Sequence, residues 1–405
     1  MPRGAANLHA PAVFNRVMRF DRRGLLRAAG GLAVAACAPA SSAPTPRAAT
    51  ATTPGNQPPA AAPAPRKRIL VLGGTGFAGP PIVREALARG HEVTLFNRGK
   101  TRPGLFPQVE TILGDRMTQL DRLSGRDWDV VIDTWAPGPT LVRRAAELLR
   151  DHVGHYVFLS TISVYRLGKD PIDESSPTLP LPAGFELGKP VASIPPEAYG
   201  PLKALAEQAA ETAMPGRSTS VRAGVIAGPE DPTDRFTYWP VRVARGGEMI
   251  APGPRDTRMQ FVDVRDLGAW FVTIAEHGHM GVYDAVGPDD PGLGSVLDGV
   301  RGGAGAGKTA TVTWVDPAWL SAKDASGWAS FPLVVAEIDD ESGFGHVSAA
   351  KAVAKGLRFR PVAETARDSL AWWNAQPEER RSQKRPGIDP AREAELLEQW
   401  RKAGH

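Results

Sequence analysis

The sequence predicts an α/β fold: a doubly wound parallel sheet with a smaller C-terminal lobe. Short, continuously apolar runs alternate with helical patterns in the first half, which is typical of a parallel sheet covered on both faces. A glycine-rich turn and a helix separate the first two runs, which gives a βαβ unit of the expected length. The folded part is about 340 residues long, enough for such a body and a smaller lobe.

The elements of the first half follow in order from residue 69. Pro80 and Pro81 open the first helix, because proline is tolerated where helical N–H groups have no partner. Apolar runs predict the strands, and apolar positions at helical spacing predict the helices. The predicted strands are 69–72, 91–96, 111–113, 129–133 and 155–160, and the predicted helices are 80–87 and 141–149.

Three segments of the second half complete the prediction. Residues 168–196 are rich in proline and form a connection too long to be an ordinary loop, so a functional or disordered segment is expected. Ala394, Leu396, Leu397 and Trp400 stand at helical spacing among charges, which predicts a terminal helix over 390–403. We expect domains at 67–222 (dinucleotide-binding) and 223–374 (mainly substrate-binding), followed by a charged tail and helix at 375–405.

The turn after the first strand has the chemistry of a dinucleotide site. Glycines at 73, 76 and 79 allow a tight turn, close approach to a pyrophosphate and packing of helix on strand. The helix N-terminus then offers free N–H groups to the phosphates. Glycine spacing alone is weak evidence in a chain with 43 glycines, but the strand before and the helix after support it. The predicted cofactor-binding residues here are Gly73, Gly76, Phe77, Ala78 and Gly79.

A tyrosine and a lysine four residues apart form the candidate catalytic pair. Tyr199 and Lys203 lie on one face of a predicted helix, and Pro201 between them suggests that the helix begins near Tyr199. A phenol has an ordinary pKa of ~10, which a nearby ammonium and an oxidised nicotinamide would lower toward working pH. Such a pair is common on surfaces, but here the hydroxyl-rich strand end 160–165 precedes it.

The order of glycine turn, hydroxyl-rich strand end and Tyr-x-x-x-Lys resembles the extended short-chain dehydrogenase/reductase family, the NAD-dependent epimerases and dehydratases, over roughly residues 67–373. The resemblance implies a Rossmann-type fold with Tyr199 as general acid/base. It implies that Lys203 holds the cofactor ribose and tunes the tyrosine, and that Thr161 binds the reacting oxygen, with Ser160 as the nearest rival. Asp115 and Arg116 match adenine-contacting positions of the family.

The end of the second strand bears on the choice between NAD and NADP. An NAD enzyme usually has an acidic residue there for the ribose hydroxyls, whereas this chain has Asn97 and Arg98. A guanidinium suits a 2′-phosphate, so the cofactor is NAD or NADP and Arg98 favours NADP. A solvated turn residue is the alternative for Arg98.

The N-terminal residues predict export. Residues 1–37 contain Arg22-Arg23 before a modest apolar stretch and resemble a twin-arginine signal. The lone cysteine, Cys37, follows small residues and resembles a lipoprotein cleavage box; a soluble protein cut at the same place is the alternative. Residues 38–66 are mostly Ala, Pro, Thr and Ser, and predict a disordered tether. We therefore expect an exported, periplasmic or cell-envelope protein, anchored to the membrane only by its signal or lipid.

Three patterns are set aside. Six arginines against Asp21 give residues 1–36 a charge of +5, so the remainder of a chain of net charge +4 carries about −1 and predicts no nucleic-acid patch. Residues 302–309 match a P-loop letter for letter, but a helix is predicted at 293–300 before them and a strand at 309–314 after them, the reverse of what a P-loop needs. No metal site is predicted from His277 and His279.

Three functions are considered. The first is a redox-neutral epimerase or dehydratase with a tightly bound cofactor, because free NAD(P)H is not resupplied outside the cytoplasm; its expected substrate is a free sugar or glycoside. The second is an NADPH-dependent carbonyl reductase, which Arg98 favours. The third is a non-catalytic, cofactor-binding sensor or scaffold, which retention of Tyr199 and Lys203 disfavours. The resemblance also implies a homodimer through a helix bundle.

Overall fold

Residues 65–134, 138–168, 170–187, 194–288, 292–305, 310–335 and 342–404 are described in the computed structural model. They belong to one compact unit. The predicted signal, Cys37 and almost all of the predicted tether lie outside the described residues. Within the described ranges, no helix is long and apolar enough to cross a membrane.

Seven parallel strands form the central sheet, in the order β10-β6-β5-β4-β1-β2-β3. The five strands predicted in the first half are confirmed to within two residues. The chain reverses direction along the sheet between β1 and β4, and doubly wound folds bind their ligands at such a point. The strands are β1 Arg68–Leu72, β2 Glu92–Asn97, β3 Glu110–Leu113, β4 Trp128–Asp133, β5 Val153–Thr161, β6 Ser218–Ala223, β7 Ile226–Ala227, β8 Glu248–Pro252, β9 Val262–Asp263, β10 Gly281–Ala285 and β11 Thr311–Val315.

Helices cover both faces of the sheet. Alternate side chains of β1 enter opposite cores: Ile69 and Val71 pack on the face covered by α1 and α5, and Leu70 and Leu72 on the face covered by α2 and α3. Burial of both faces explains why the strand is apolar at every position. The helices are α1 Gly79–Ala88, α2 Pro139–Leu149, α3 Pro196–Ala213, α4 Tyr238–Ala244, α5 Val264–His277, α6 Leu293–Ala304, α7 Pro317–Ala322, α8 Gly327–Ser330, α9 Ala350–Ala354, α10 Val362–Asn374, α11 Glu378–Arg381 and α12 Pro390–Lys402.

The helix that carries the candidate catalytic pair begins earlier than predicted. α3 starts at Pro196, three residues before Tyr199, and Pro201 lies inside it. Proline at the first helical position fixes the backbone for the start of the helix, and Pro201 removes one backbone hydrogen bond without ending it. The prediction that the helix begins near Tyr199 was therefore wrong by one turn.

A second core forms the smaller lobe. It combines α4, α6, α10 and α12 with the two-stranded pair β8–β11, around the fully buried Trp239. Two elements within the predicted substrate region, α5 and β10, return to the sheet instead: α5 packs against α1, and β10 pairs with β6. The smaller lobe is thus formed by two segments. One lies between β6 and α5, and the other is most of the chain after β10.

The terminal helix is confirmed as α12, with one difference in the face that it buries. Leu396 and Leu397 are buried and Trp400 packs edge-on against Trp319, whereas Ala394 is exposed. Glu393 is buried in the core-facing position, where its carboxylate pairs with Arg242 at 2.7 Å. A charge in that position is tolerated because it is fully paired.

The P-loop-like segment has the surroundings that the sequence predicts. α6 precedes it and β11 follows it, the opposite of the strand and helix that a P-loop requires. Residues 306–309 of the segment lie outside the described residues.

Candidate active site

The glycine turn lies at the carboxyl end of β1, where β1 separates β2 from β4. A Cβ on Gly79 would come within 2.6 Å of the Gly74 Cα, so only glycine lets α1 begin against the turn. A Cβ on Gly76 would meet no atom within 4 Å, so this backbone borders open space. The turn therefore has the close helix packing and the clear approach that a pyrophosphate site requires.

A cavity of about 200 Å³ adjoins the turn. Of the predicted cofactor residues, Gly73, Gly76, Asn97, Arg98, Asp115 and Arg116 line it. Phe77, Ala78, Gly79 and Lys203 are not among the described residues that line it. The cavity lies beside the ends of β2 and β3, where a Rossmann-type sheet holds the adenosine half of a dinucleotide.

Asn97 and Arg98 take different positions at the end of β2. The Asn97 side chain is used locally: its Nδ2 donates to the Gly73 carbonyl at 3.3 Å and its Oδ1 accepts from the Gly99 N–H at 2.8 Å. Arg98 and Lys100 are exposed at the rim of the cavity. Among the described residues, no carboxylate from the end of β2 lines the cavity, whereas Asp115, after β3, does.

Arg116 points into the protein. Its two terminal nitrogens each lie 2.5 Å from one carboxylate oxygen of Asp133, and its Nη2 also donates to the Leu141 carbonyl at 3.2 Å. The Tyr156 hydroxyl donates to the same carboxylate at 2.5 Å. This buried network uses the guanidinium for structure, while Asp115 remains at the cavity. The adenine contact that the resemblance implies stays a prediction for both residues.

The candidate catalytic residues meet where β5 ends against α3. The Thr161 side chain lies close enough to the Tyr199 hydroxyl to lower the pKa of the phenol, and the Thr161 hydroxyl donates to the Ser163 hydroxyl at 3.2 Å. Lys203 is buried, with its Nζ donating to the Leu159 carbonyl at 2.5 Å and lying 4.2 Å from the centre of the Phe158 ring. The structure therefore brings Tyr199, Lys203 and Thr161 together, although they are up to 42 positions apart.

A glycine on α3 makes this meeting possible. A Cβ on Gly200 would lie 1.8 Å from the Ser163 carbonyl oxygen, so the helix rests directly on the backbone that follows β5. Ser160, the rival to Thr161, is used differently. Its hydroxyl donates to Glu207, whose carboxylate pairs with Arg222 at 2.7 Å. The geometry thus favours Thr161 as the hydroxyl that faces the phenol.

Burial dominates the acid–base properties of the pair. It raises the pKa of Tyr199 to about 12, against the positive charge of Arg235 and the nearby Thr161 side chain, which lower it. It lowers the pKa of Lys203 to about 7, against the negative charges of Asp133 and Glu207, which raise it. Burial therefore favours the neutral form of both side chains, and the phenol needs additional positive charge nearby to ionise near pH 7.

Arg235 was missed by the sequence reasoning. It belongs to the polar segment 231–235 that follows β7, and its Nε donates to the Thr233 hydroxyl at 2.9 Å. Its guanidinium lies 5.7 Å from the centre of the Trp328 ring, and its charge acts on the Tyr199 phenol. The sequence offered one indication: Arg235 follows a short strand, and ligands of doubly wound folds bind beyond the carboxyl ends of the strands.

Among the described residues, no group of three metal-ligating side chains is found.

The comparisons with known proteins agree with this geometry. The model of the NAD-dependent epimerase/dehydratase family matches residues 69–285. Over 48 residues, the chain is 44% identical to a 3-beta-hydroxysteroid dehydrogenase of Mycolicibacterium neoaurum, which is 12% of this chain and only 13% of that protein.

Several solved structures share the fold. WbmH of Bordetella bronchiseptica, solved with NAD⁺, is 17% identical, with a TM-score of 0.55 over 76% of this chain and 99% of that chain. UDP-glucose 4-epimerase of Thermus thermophilus, solved with NAD, is 22% identical, with a TM-score of 0.52 over 76% and 100%. At these identities the likeness establishes the fold alone. The family match, which covers more than half of the chain, establishes more: the protein belongs to the NAD-dependent epimerase/dehydratase family.

Proposed function

We propose that the protein uses bound NAD or NADP to convert a sugar or related hydroxyl/carbonyl compound without net oxidation or reduction. The reaction would be an epimerisation, a dehydration or an elimination through a transient ketone. The observation that carries the proposal is that the Tyr199 phenol and the Thr161 side chain come together beside the buried Lys203. This pairing lies at the carboxyl edge of the same sheet whose glycine turn fits a pyrophosphate.

The residues present fit a dinucleotide. Gly76 leaves open backbone for the pyrophosphate, and the cavity beside Asn97, Arg98 and Asp115 has room for the adenosine half. By the family resemblance, Lys203 would hold the ribose of the nicotinamide half. When bound, the nicotinamide ring supplies a hydride acceptor that returns the hydride within the same cycle.

The chain itself supplies the proton chemistry. Thr161 would hold the reacting substrate oxygen, and Tyr199 would take its proton and later return one. A phenol with a pKa of about 12 is a poor base at neutral pH, so the phenolate must be favoured in the working complex. Arg235 acts in that direction already, and the positive charge of an oxidised nicotinamide would add to it.

Redox-neutral chemistry follows from the proposed location. We infer export from Arg22-Arg23, and lipid attachment from Cys37 behind small residues. A twin-arginine route carries folded proteins, so a bound dinucleotide can travel with the chain and serve repeatedly. Nucleotide sugars are scarce outside the cytoplasm, so a free sugar or glycoside is the proposed substrate. Cell fractionation of wild type and Cys37→Ala tests the location; a cytoplasmic wild type would contradict it.

An NADPH-dependent carbonyl reductase is the second candidate. Arg98 and Lys100 at the cavity rim, with no carboxylate from the end of β2 lining it in the described part of the chain, favour a 2′-phosphate. NADPH is the usual donor for net reduction. A non-catalytic sensor is disfavoured because Tyr199, Lys203 and Thr161 are all present and meet in space.

One assay separates these functions. The purified full chain is incubated with a panel of free sugars and glycosides, without added cofactor, and products are followed by NMR. We expect conversion over many turnovers with no net change in reduced dinucleotide, and none with Tyr199→Phe. Turnover that consumes added NADPH one for one would favour the reductase. If no substrate is converted and Tyr199→Phe leaves every cellular phenotype unchanged, the sensor is favoured.

The proposed assembly is a homodimer through a helix bundle that contains α3. The family resemblance supports this, and light scattering of the purified chain tests it. A monomer at working concentrations would contradict it.

A further inference from the structure

One arginine side chain ties the glycine turn to the smaller lobe. Arg102, in the connection between β2 and β3, donates from Nε to the Thr75 carbonyl at 3.0 Å and from Nη2 to the Gly76 carbonyl. Its Nη1 donates to the carboxylate of Glu230, which lies 128 positions later, in the segment after β7. A single guanidinium thus contacts both the turn and the lobe.

The carbonyls that Arg102 binds determine where the turn's N–H groups point. No peptide bond in the described residues is cis. In a trans peptide the C=O and N–H groups point in opposite directions. Holding the Thr75 and Gly76 carbonyls therefore also fixes the N–H groups of Gly76 and Phe77, on the opposite side from Arg102. These groups belong to the turn that is proposed to bind the pyrophosphate.

Both ends of the link have unusual backbone conformations. Arg102 has a φ of +47° and Glu230 a φ of +70°, in the left-handed region that favours glycine. Such conformations persist only where the surroundings hold them. A second arginine, Arg84 of α1, lies 3.9 Å from Glu230 and adds positive charge to the same carboxylate. The surrounding structure therefore holds both segments in these conformations, and the link between Arg102 and Glu230 is one of its contacts.

The link lies next in the chain to residues that line the cavity. Lys100 and Thr101, immediately before Arg102, line the 200 Å³ cavity beside the turn. With Arg102 bonded to Glu230, this segment cannot swing away unless the ion pair and the two carbonyl bonds break together.

We propose that Arg102 and Glu230 form a clasp that slows the release of the dinucleotide. The clasp rests on the proposed function, since it needs a dinucleotide to retain, and it gives a physical reason for a cofactor that stays bound through many turnovers. We expect the clasp to change the rate of dinucleotide release and to contribute little to the free energy of unfolding. Both side chains are about one-third exposed, at 34%, and exposed ion pairs contribute only ~0–1 kcal/mol to stability.

The test measures release directly. The full chain is loaded with NADH or NADPH, and the loss of its fluorescence is followed after adding an excess of the oxidised form. Glu230→Gln should release the reduced dinucleotide up to about fivefold faster, as expected for losing one partly exposed ion pair. Arg102→Met should be faster still, because it also frees the turn. The double variant should match Arg102→Met alone, since the two residues act through one contact.

Arg126→Met is the matched control. Arg126 pairs with Glu110 at 2.6 Å, is similarly exposed, and lies at the opposite end of β3 from the cavity. It should leave the release rate unchanged, and all variants should melt within a few degrees of wild type. Wild-type release rates in both clasp variants, or equal acceleration in Arg126→Met, would overturn the clasp while leaving the proposed function standing. A wild type that binds neither dinucleotide would overturn both.

Discussion

Glycine allows close packing at two places: at the glycine turn, and at the candidate catalytic corner, where Thr161, Tyr199 and Lys203 meet at the end of β5. The residues that pack together are close in sequence at the turn and far apart at the corner. At the turn, Gly79 lets α1 rest on Gly74, five positions earlier. At the corner, Gly200 lets α3 rest on the Ser163 carbonyl, 37 positions earlier. The first packing is part of a local motif, and the second is visible only once the chain has folded. The two halves of the candidate site therefore both depend on glycine for close packing, and each can be disrupted without the other.

The largest expected effect is that of Tyr199→Phe. Removing the hydroxyl leaves the ring to pack but removes the proposed acid/base, so kcat should fall by roughly 10²–10⁴-fold. Dinucleotide binding should remain, because the glycine turn is untouched. Steady-state kinetics and a dinucleotide titration on the same preparation check both halves. Loss of binding together with activity would show that corner and turn are not separable.

Gly200→Ala tests the packing at the candidate catalytic corner without changing the glycine turn. The added methyl would overlap the Ser163 carbonyl, so α3 must shift and carry Tyr199 away from Thr161. A displacement of about 1 Å can cost about 10²-fold in rate, and overpacking costs roughly 1–3 kcal/mol in stability. Kinetics and thermal melting measure the two losses.

Two glycine variants serve as references for that prediction. Gly79→Ala should weaken dinucleotide binding, because its methyl would push α1 off the turn. Gly302→Ala, in α6, places its methyl 3.7 Å from the nearest atom, an ordinary contact, and should cost neither activity nor stability. If Gly200→Ala cost neither activity nor stability, as expected for Gly302→Ala, the close contact between Gly200 and the Ser163 carbonyl would be contradicted.

Much of this could be predicted from the sequence, for reasons that differ between regions. The strands of the first half were found because burial on both faces makes each one apolar throughout, as in Ile69 to Leu72. Tyr199 and Lys203 could be proposed as the catalytic pair because they share one helix face and match the order of motifs in the family; their catalytic role stays a prediction. Arg235 and the Arg102–Glu230 contact were missed, because each joins residues that are far apart in the chain and lie in irregular segments. The burial of Glu393 in place of Ala394 was missed, because the local sequence does not reveal that Arg242 will meet that carboxylate.

Arg235→Met should have a moderate effect on the pH dependence of kcat, although Arg235 lies outside both glycine-dependent regions. The Arg235 charge lowers the pKa of Tyr199, so its removal should raise that pKa and move the ionisation limb of the kcat profile to higher pH. A shift of about one unit corresponds to roughly tenfold at neutral pH. Arg235→Lys, which keeps the charge, should restore most of the profile. An unchanged profile in Arg235→Met would remove Arg235 from the acid–base chemistry.

The remaining prediction concerns stability rather than reaction rate. Burial lowers the pKa of Lys203 from 10.5 to about 7, so between these values the unfolded chain binds more protons than the folded one. The contribution of Lys203 to stability therefore rises with pH across that window. Lys203→Met should remove it, so the melting temperature of the variant relative to wild type should be highest near pH 7 and fall toward pH 10. A constant difference across this range would mean that the lysine is not desolvated in the folded protein.

A crystal structure of the full chain with NAD or NADP tests the central claim most directly. We predict that the pyrophosphate lies on the N–H groups of the glycine turn, and that the nicotinamide ring ends beside Tyr199 and Thr161, close enough for one carbinol group to bridge ring and phenol. A dinucleotide bound elsewhere, or a nicotinamide ring out of reach of the Tyr199 oxygen, would contradict it.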